Sequence, residues 1–513
     1  MNLIPKSKCR SSLVNVWLLL ILVFPFTFSC NTKENKKDVE TVIVYSAPKG
    51  IELSKVFKVT VEGKESPVYN AKVPAVEQIP RLNHNPSKFG IASYTTFDIR
   101  KNATVTVTHS EEVKSVKILP TSYGIEPKID GKNITFNIDN PSHVTVEVNG
   151  KWQESLHIFV NPFETNIPDP NDPNVIYFGP GIHDITSVKV KDSTTVYIAG
   201  GAYLRAKKAS EEKQYQDQTG RKRNPPTFLL EGKNITIRGR GIIDQEAISR
   251  KDRRYTVLVQ DAEDVKLEGF IIHDPSHWTI PLKRANNVHI DNIKIIGRDG
   301  NSDGVDISSS TNVLVENCFL RTLDDLVVVK SRTGQGESKN IHVRKNVLWN
   351  EYAHALSIGA EVRENVSNVL FEDCDVIHDK GRESALRVYH CDDAVISDVT
   401  FQNIRVEEAR RLISVWIGKT RWTKTKERGN VRNVFFKDIT AVSAPIDTTL
   451  TGFQDGIDWK PYIIRDHASL ELIGYDKDHT VEGVFFDNVI LDGKKVEKSQ
   501  LIINDFVKEV NIK

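Results

Sequence analysis

Residues 301–331 read NSDGVDISSSTNVLVENCFLRTLDDLVVVKS. The stretch holds one aspartate, Asp303, and then an adjacent pair, Asp324 and Asp325, set just before three valines. Two acids side by side at the edge of an apolar run either cap a turn or do chemistry. The segment between them, NVLVENCFLRT from Asn312, shows what kind of fold carries them. It follows the pattern Asn/Asp, apolar, any, apolar, any, Asn/Asp/Gly, apolar, any, apolar. The same pattern begins at Asn234 (NITIRGRGIID), Asp264 (DVKLEGFIIHD), Asn287 (NVHIDNIKIIG), Asn340 (NIHVRKNVLWN) and Asn368 (NVLFEDCDVIH). It continues at Asp393 (DAVISDVTFQN), Asn433 (NVFFKDITAV) and Gly483 (GVFFDNVIL), with steps of 23 to 30 residues up to Asp393 and of 40 and 50 after it.

A repeat of this length without helical periodicity is a solenoid signature. Each unit reads as two short strands of period two, broken at a bend by Asn, Asp or Gly. Stacked coils pair each strand with its copies above and below and lay like side chains on like. This predicts a right-handed, single-stranded parallel β-helix, with adjacent coils about 4.7–4.9 Å apart. A sandwich or propeller does not explain the side-chain ladder. The longer late steps predict large loops, such as TRWTKTKERGN and SAPIDTTLTGFQDGIDWKP.

Upstream the pattern differs. VIVYS, KVFKVTVEG, TVTVTHS, SVKILP, NITFNID and HVTVEVNG are short alternating runs separated by Gly, Asn, Pro and Lys. They predict a β-sandwich over residues 41–165. The Pro/Asn/Asp-rich NPFETNIPDPNDPNV marks the boundary, and residues 166–513 form the β-helix domain. The fold class is therefore all-β.

Residues 1–30 read as a signal peptide. Lys6, Lys8 and Arg10 precede the apolar run VWLLLILVFPFTF, too short for a comfortable membrane span. The run ends in TFSC, and Ser29-Cys30 resembles a bacterial lipobox, less well matched at Thr27 and Phe28. The expectation is cleavage before Cys30, lipidation of its thiol, and a polar tether over residues 31–40. The chain is then exported and anchored to a bacterial membrane, in the outer membrane on its periplasmic or cell-surface face. A cleaved signal with a coincidental cysteine is the plainer alternative. The body holds Cys318, Cys374 and Cys391, an odd number at repeat-equivalent or isolated positions, so a disulfide framework is not expected. Cys318 and Cys374 read as buried small hydrophobes. A 39% hydrophobic, 27% charged chain of net charge +1 does not point to a nucleic-acid partner.

The aspartates fall about one coil apart. Counted from the unit starts, Asp303, Asp324–Asp325, His354 and Arg387 lie at similar phase on four successive coils, which predicts one polar column. Carboxyls held this close cannot all ionise freely, and one keeps a proton at neutral pH. Glycosidic cleavage needs such a set: an acid for the leaving oxygen and a base for water, about 6.5–9.5 Å apart in the inverting geometry. The bland reading is that Asp is common at β-helix bends and merely bonds backbone there. The phase agreement with His354 and Arg387 favours chemistry.

The region from about 170 to 490 resembles the polygalacturonase-type glycoside hydrolases, family 28, inverting β-helix enzymes. Their four motifs appear here as NSDG (Asn301–Gly304), Asp324-Asp325, AHALSIG (Ala353–Gly359) and LRVYH around Arg387. DPSHWTIPL (Asp274–Leu282) resembles the family segment upstream of the first motif. The resemblance implies Asp324 as general acid, Asp303 and Asp325 as the bases, His354 as a hydrogen-bonding support of the acid, and Arg387 as a sugar ligand. Asn301, Lys330, Tyr389 and Trp416 join it as substrate-binding candidates, and no metal or cofactor is implied. Two departures stand out: alanines flank His354 where the family has glycines, and Tyr389 replaces the lysine associated with a galacturonate carboxylate. The front β-domain joined to a β-helix also resembles the family 49 dextranases, which share a three-aspartate inverting arrangement. Trp278, Trp349, Trp422 and Trp459 are further candidate sugar platforms, against plain packing roles. The expected function is cleavage of α-glycosidic bonds in a pectin-like or related polysaccharide. The rivals are a dextranase-like hydrolase of a neutral glycan, a calcium-dependent β-helix lyase with Arg387 as base, a non-catalytic glycan-binding surface lipoprotein and a structural adhesin.

Overall fold

A computed structural model describes residues 40–75, 86–208, 214–216, 222–379, 381, 383–445 and 468–513. The expectations placed on residues 1–39, including Cys30, on Trp459 and on most of the SAPIDTTLTGFQDGIDWKP loop lie outside the described residues.

From Val175 onward thirty strands form one continuous sheet, wound as a right-handed parallel β-helix. In its regular part each coil carries three strands, not the two expected from the repeat. One coil is Val305–Ser308, Thr311–Glu316 and Phe319–Thr322; the next is Val327–Ser331, Ser338–Arg344 and Val347–Asn350. The missed strand begins each of these coils. Its copies, VDIS, VVVKS, LSIGAEV and LRVYH, have no Asn ladder to announce them. They pair Val305 with Val327, Val327 with Leu356 and Leu356 with Leu386, and the register shifts only past Val329, where Ser331 meets Val362.

The bends are made by asparagine for a physical reason. Asn287, Asn312, Asn340 and Asn368 all have φ between +53° and +56°, a left-handed conformation that Asn tolerates better than most residues. Their side-chain amides bond coil to coil: Asn340 Nδ2 donates to Asn312 Oδ1 (3.0 Å), and Asn368 Nδ2 to Asn340 Oδ1 (2.7 Å). The next rung is Asp398 (φ +56°), whose Oδ1 accepts from Asn433, and not Asp393 as the motif alignment placed it. The alignment slipped because DAVISDVTFQN holds two Asp-plus-apolar starts, and only the second meets the bend.

Strand alternation sorts the side chains. Val305, Ile307, Val327, Val329, Leu356, Ile358, Leu386 and Val388 fill the coil interior. Asp306, Lys330, Arg387 and Tyr389, at the alternate positions, point away from it. Cys318 and Cys374 are buried free thiols within the same interior, as their repeat positions implied.

Two sheets over Val42–Pro162 pack face to face on a core that includes Phe57, Val59, Val107, Phe136, Phe97, Val144 and Ile158. NITFNID and HVTVEVNG become strands of opposite sheets, Asn133–Ile138 and Ser142–Val148. The other face of the larger sheet lies on the β-helix. Tyr69, Tyr94 and Phe159 meet Tyr203, Ile271, Phe319 and Trp349 there. Trp349, a candidate sugar platform, is fully buried in this seam, with Arg321 3.9 Å above its ring. Arg321 in turn donates to Glu351 (2.9 Å) and to the Gln153 carbonyl of the sandwich (3.1 Å).

Replacing Asn340 with alanine removes two rungs and leaves a β-carbon in a left-handed bend. At about 1 kcal/mol per lost hydrogen bond and about 1–2 kcal/mol for the backbone, Asn340→Ala should lower unfolding free energy by about 3–4 kcal/mol in urea titration.

Candidate active site

The three aspartates converge on the outward side of the missed strand. Asp303, Asp325 and His354 each stand two residues before the paired Val305, Val327 and Leu356, so they stack on consecutive coils, with Trp278 in the coil before. Backbone bonds fix this column: Gly304 N–H donates to Asp325 O (2.8 Å) and Leu326 N–H to His354 O (2.9 Å). The glycine of NSDG is required by the stacking, since a β-carbon on Gly304 would lie 2.4 Å from the Leu326 carbonyl oxygen. Arg387 is not in this column. It lies three positions further along, in register with Ser357, Val328 and Asp306.

One carboxylate oxygen from each of Asp303, Asp324 and Asp325 lies within 4.8 Å of the others. That is closer than the 6.5–9.5 Å expected, because ladder spacing, not side-chain splay, sets the gap. Asp324 is the least buried of the three. Its carboxylate is oriented by backbone donors: Asn301 N–H to Oδ2 (3.1 Å) and Asp325 N–H to Oδ1 (3.0 Å). Arg250 holds Asn301 in place by donating to its Oδ1 (3.0 Å) and to Gly300 O (2.8 Å).

Lys330 supplies the counter-charge. Its Nζ lies 2.6 Å from Asp306 Oδ1, 3.4 Å from Asp303 Oδ2 and 3.7 Å from Asp325 Oδ2, and 4.2 Å from the Trp278 ring centre. Burial alone would lower its pKa, but Asp306, Asp303, Glu361 and Asp325 outweigh that and hold the ammonium charged. Burial, then Asp306 and Asp324, push Asp303 well above the usual carboxylate range against the pull of Lys330. Burial likewise raises Asp325, with Lys330 opposing and Asp324 adding. Asp306 is pushed up to about 6 by burial, moderated by Lys330. The group therefore retains a proton near neutrality, shared among interacting sites.

His354 is neutral. Burial and then Arg387 push it down to about 3. Its Nδ1 is 3.1 Å from the Ser384 carbonyl and its Nε2 3.9 Å from Asp325 Oδ1, and the Asp324 charge also acts on the ring. Arg387 is ion-paired with Glu383 and lies 4.0 Å from the Tyr389 ring centre. Tyr389 meets Trp416 edge to face at 5.0 Å. Trp422 is 40% exposed on its loop. Asp306 and Glu383 belong to this site and were missed. Asp306 had a legible signal, an acid at the outward place of VDIS, whereas Glu383 precedes its strand and had none.

The sequence profile of the glycosyl hydrolases family 28 matches residues 180–455, more than half of the chain. The chain belongs to this family. An endo-polygalacturonase of Pectobacterium carotovorum subsp. carotovorum is 32% identical over 238 residues, 40% of this chain and 56% of that protein. The chain spans about half the length of the curated relatives it matches. Among solved structures, Dex49A from Penicillium minioluteum aligns with a TM-score of 0.60 at 14% identity, over 93% of this chain and 97% of that one. A hyperthermoactive exopolygalacturonase from Thermotoga maritima aligns at 0.51 and 19%, over 66% and 84%. At these identities the likeness is one of fold, and with Dex49A it extends over nearly the whole chain.

Asp379 supports the turn that presents His354. Asn350 Nδ2 donates to Asp379 Oδ1 (2.6 Å) and to Ala353 O (2.7 Å). Burial pushes the Asp379 carboxyl from an ordinary 3.8 up to about 8. A raised folded value means that stability is full below the unfolded value and is lost as pH rises through about 8. Asp379→Asn should therefore raise Tm by about 2 °C or more at pH 8 and give no such gain at pH 4, read by thermal melts at both.

Proposed function

We propose that this family 28 chain is a glycoside hydrolase that cleaves α-glycosidic bonds of a pectin-like or related polysaccharide with inversion. The observation that carries the reading is the trio Asp303, Asp324 and Asp325, gathered within 4.8 Å of one another, with Lys330 beside Asp303 and Asp325. The names borne by its relatives, polygalacturonases, support a glycan substrate of the pectin type.

In this reading Asp324, the least buried acid, protonates the leaving oxygen. Asp303 and Asp325 then take the water. Two hydrogen bonds of about 2.8 Å to one water span roughly 4.5 Å between acceptors, so carboxylates at ladder spacing can grip a single water between them. This gives the short gap a use in a single displacement. A carboxylate surrounded by like charge is also a stronger base once ionised. Lys330 keeps the set assembled, and neutral His354 adds no competing charge beside Asp325. Anionic cleavage with calcium, as in lyases, would have to share these carboxylates with an ammonium already among them.

The segment up to Cys30 supports export and lipid anchoring, with the mature chain on a bacterial membrane. Cys30→Ser should release it from the detergent phase in a partition assay, whereas an unchanged distribution would count against the anchor.

Asp324→Asn should lower kcat by about 10²–10⁴ with little change in Tm. The assay is reducing-end release from polygalacturonan, rhamnogalacturonan, dextran and sulfated galactans. Proton NMR of the first anomer formed checks inversion; retention would instead place a glycosyl ester on one of the deep aspartates. Lys330→Met removes the cation that lowers Asp303 and Asp325. The acidic limb of the rate profile, which follows ionisation of the bases, should then move up by about one pH unit in the residual activity.

A further inference from the structure

The wall of the site on the later coils has an unusual charge state for a surface meant to hold a sugar acid. Arg387 and Tyr389 lie on the outward side of Leu386–His390, and Tyr389 is in register with Trp416 on the next coil. Glu383 closes on the Arg387 guanidinium, and both side chains are nearly buried, at 4% and 6% exposure. Along the same wall Arg411 faces Glu471 (3.6 Å) and Arg363 faces Asp392 (3.0 Å). Among the described residues, each of these guanidinium groups is matched by a carboxylate. His354, which separates the wall from the acids, is uncharged.

A uronate carboxylate entering here would need a cation not already neutralised. To take Arg387 it would have to displace Glu383, leaving that side chain buried, charged and beside a second anion. An uncharged pyranose meets no such cost. It needs an apolar face and hydrogen-bonding edges, and Tyr389, Trp416, Ala360 and Ile473 form an apolar cluster beside the guanidinium.

We propose that Glu383 is a specificity-determining residue: by holding Arg387, it makes the subsite bounded by His354, Arg387, Tyr389 and Trp416 accept an uncharged sugar and refuse a uronate. The inference rests on the hydrolase reading of the same site and narrows its substrate to one with a neutral residue at this position.

Binding is separated from turnover by using full-length Asp324→Asn in titration calorimetry. The probes are a galacturonate oligomer, its carboxyl-reduced counterpart, and an α-linked glucose oligomer. A neutral probe should bind about tenfold or more tightly than the uronate. Adding Glu383→Gln should improve uronate binding by about tenfold, and adding Arg387→Gln as well should give back part of that gain. Tighter binding of the uronate, binding of no probe, or a neutral preference that Glu383→Gln leaves in place would each overturn the proposal. If Glu383→Gln does not fold, the double variant, which leaves no buried charge unpaired, decides: discrimination should fall toward parity, and an undiminished neutral preference overturns the role of Glu383. Turnover on the same probes by the unaltered chain distinguishes the two readings. Neutral binding without reducing-end release fails the hydrolase and keeps the subsite, while efficient cleavage at a uronate-filled site does the reverse.

Discussion

The structure depends on in-register parallel pairing between coils. Each strand bonds to its copy one coil away, so every side chain has a counterpart about 4.8 Å along the axis. Apolar columns then fill the interior from Val196 to Val484 without a break in kind. The same rule governs the polar side. Asp303 and Asp325 are close because their strands are paired, and no rotamer choice separates their backbones. Charge repulsion between them is built into the fold and is managed by Lys330, from the strand that follows Asp325. The proton held by this group is thus a consequence of ladder geometry plus burial.

The ladder has to be kept in register, and the bends do this. A left-handed residue at each corner costs energy for most side chains and little for Asn, whose amide also bonds to the next rung. Where the chain uses Asn340 and Asn368, both gains are seen together. The sandwich secures another face of the same coils. Its seam mixes aromatic packing with buried ion pairs, including Arg240 with Asp98 (3.0 Å) and Arg321 with Glu351 (2.9 Å). Pairs of this kind confer little net stability, but they fix which surfaces meet. The outward face of the Val305, Val327, Leu356 and Leu386 strands is thereby left for the site.

The β-helix, the interior valines and the acidic trio were legible in the sequence, because a repeat with period-two alternation specifies both the stacking and the facing of each residue. Asp306 was legible in principle, from alternation within VDIS, once the third strand is recognised. That strand was hidden because its borders carry no Asn rung. Trp349, open in the sequence between sugar platform and packing role, is a seam residue, since one sequence cannot say which outward face another domain covers. The slip from Asp398 to Asp393 has a local cause, two equivalent start signals five residues apart.

The sequence by itself determined the coil: its interior, its bends, and the presence of Asp303, Asp324, Asp325 and His354 on neighbouring turns. Local pattern suffices there, because each coil repeats the same short-range rules. Only the tertiary structure decided the charge partners, since these join residues that no periodicity relates. Lys330 lies among three acids, Glu383 closes on Arg387, and His354 stands by Asp325. Such pairings arise from side-chain reach across coils and from burial, which raise or lower the cost of every charge at the site.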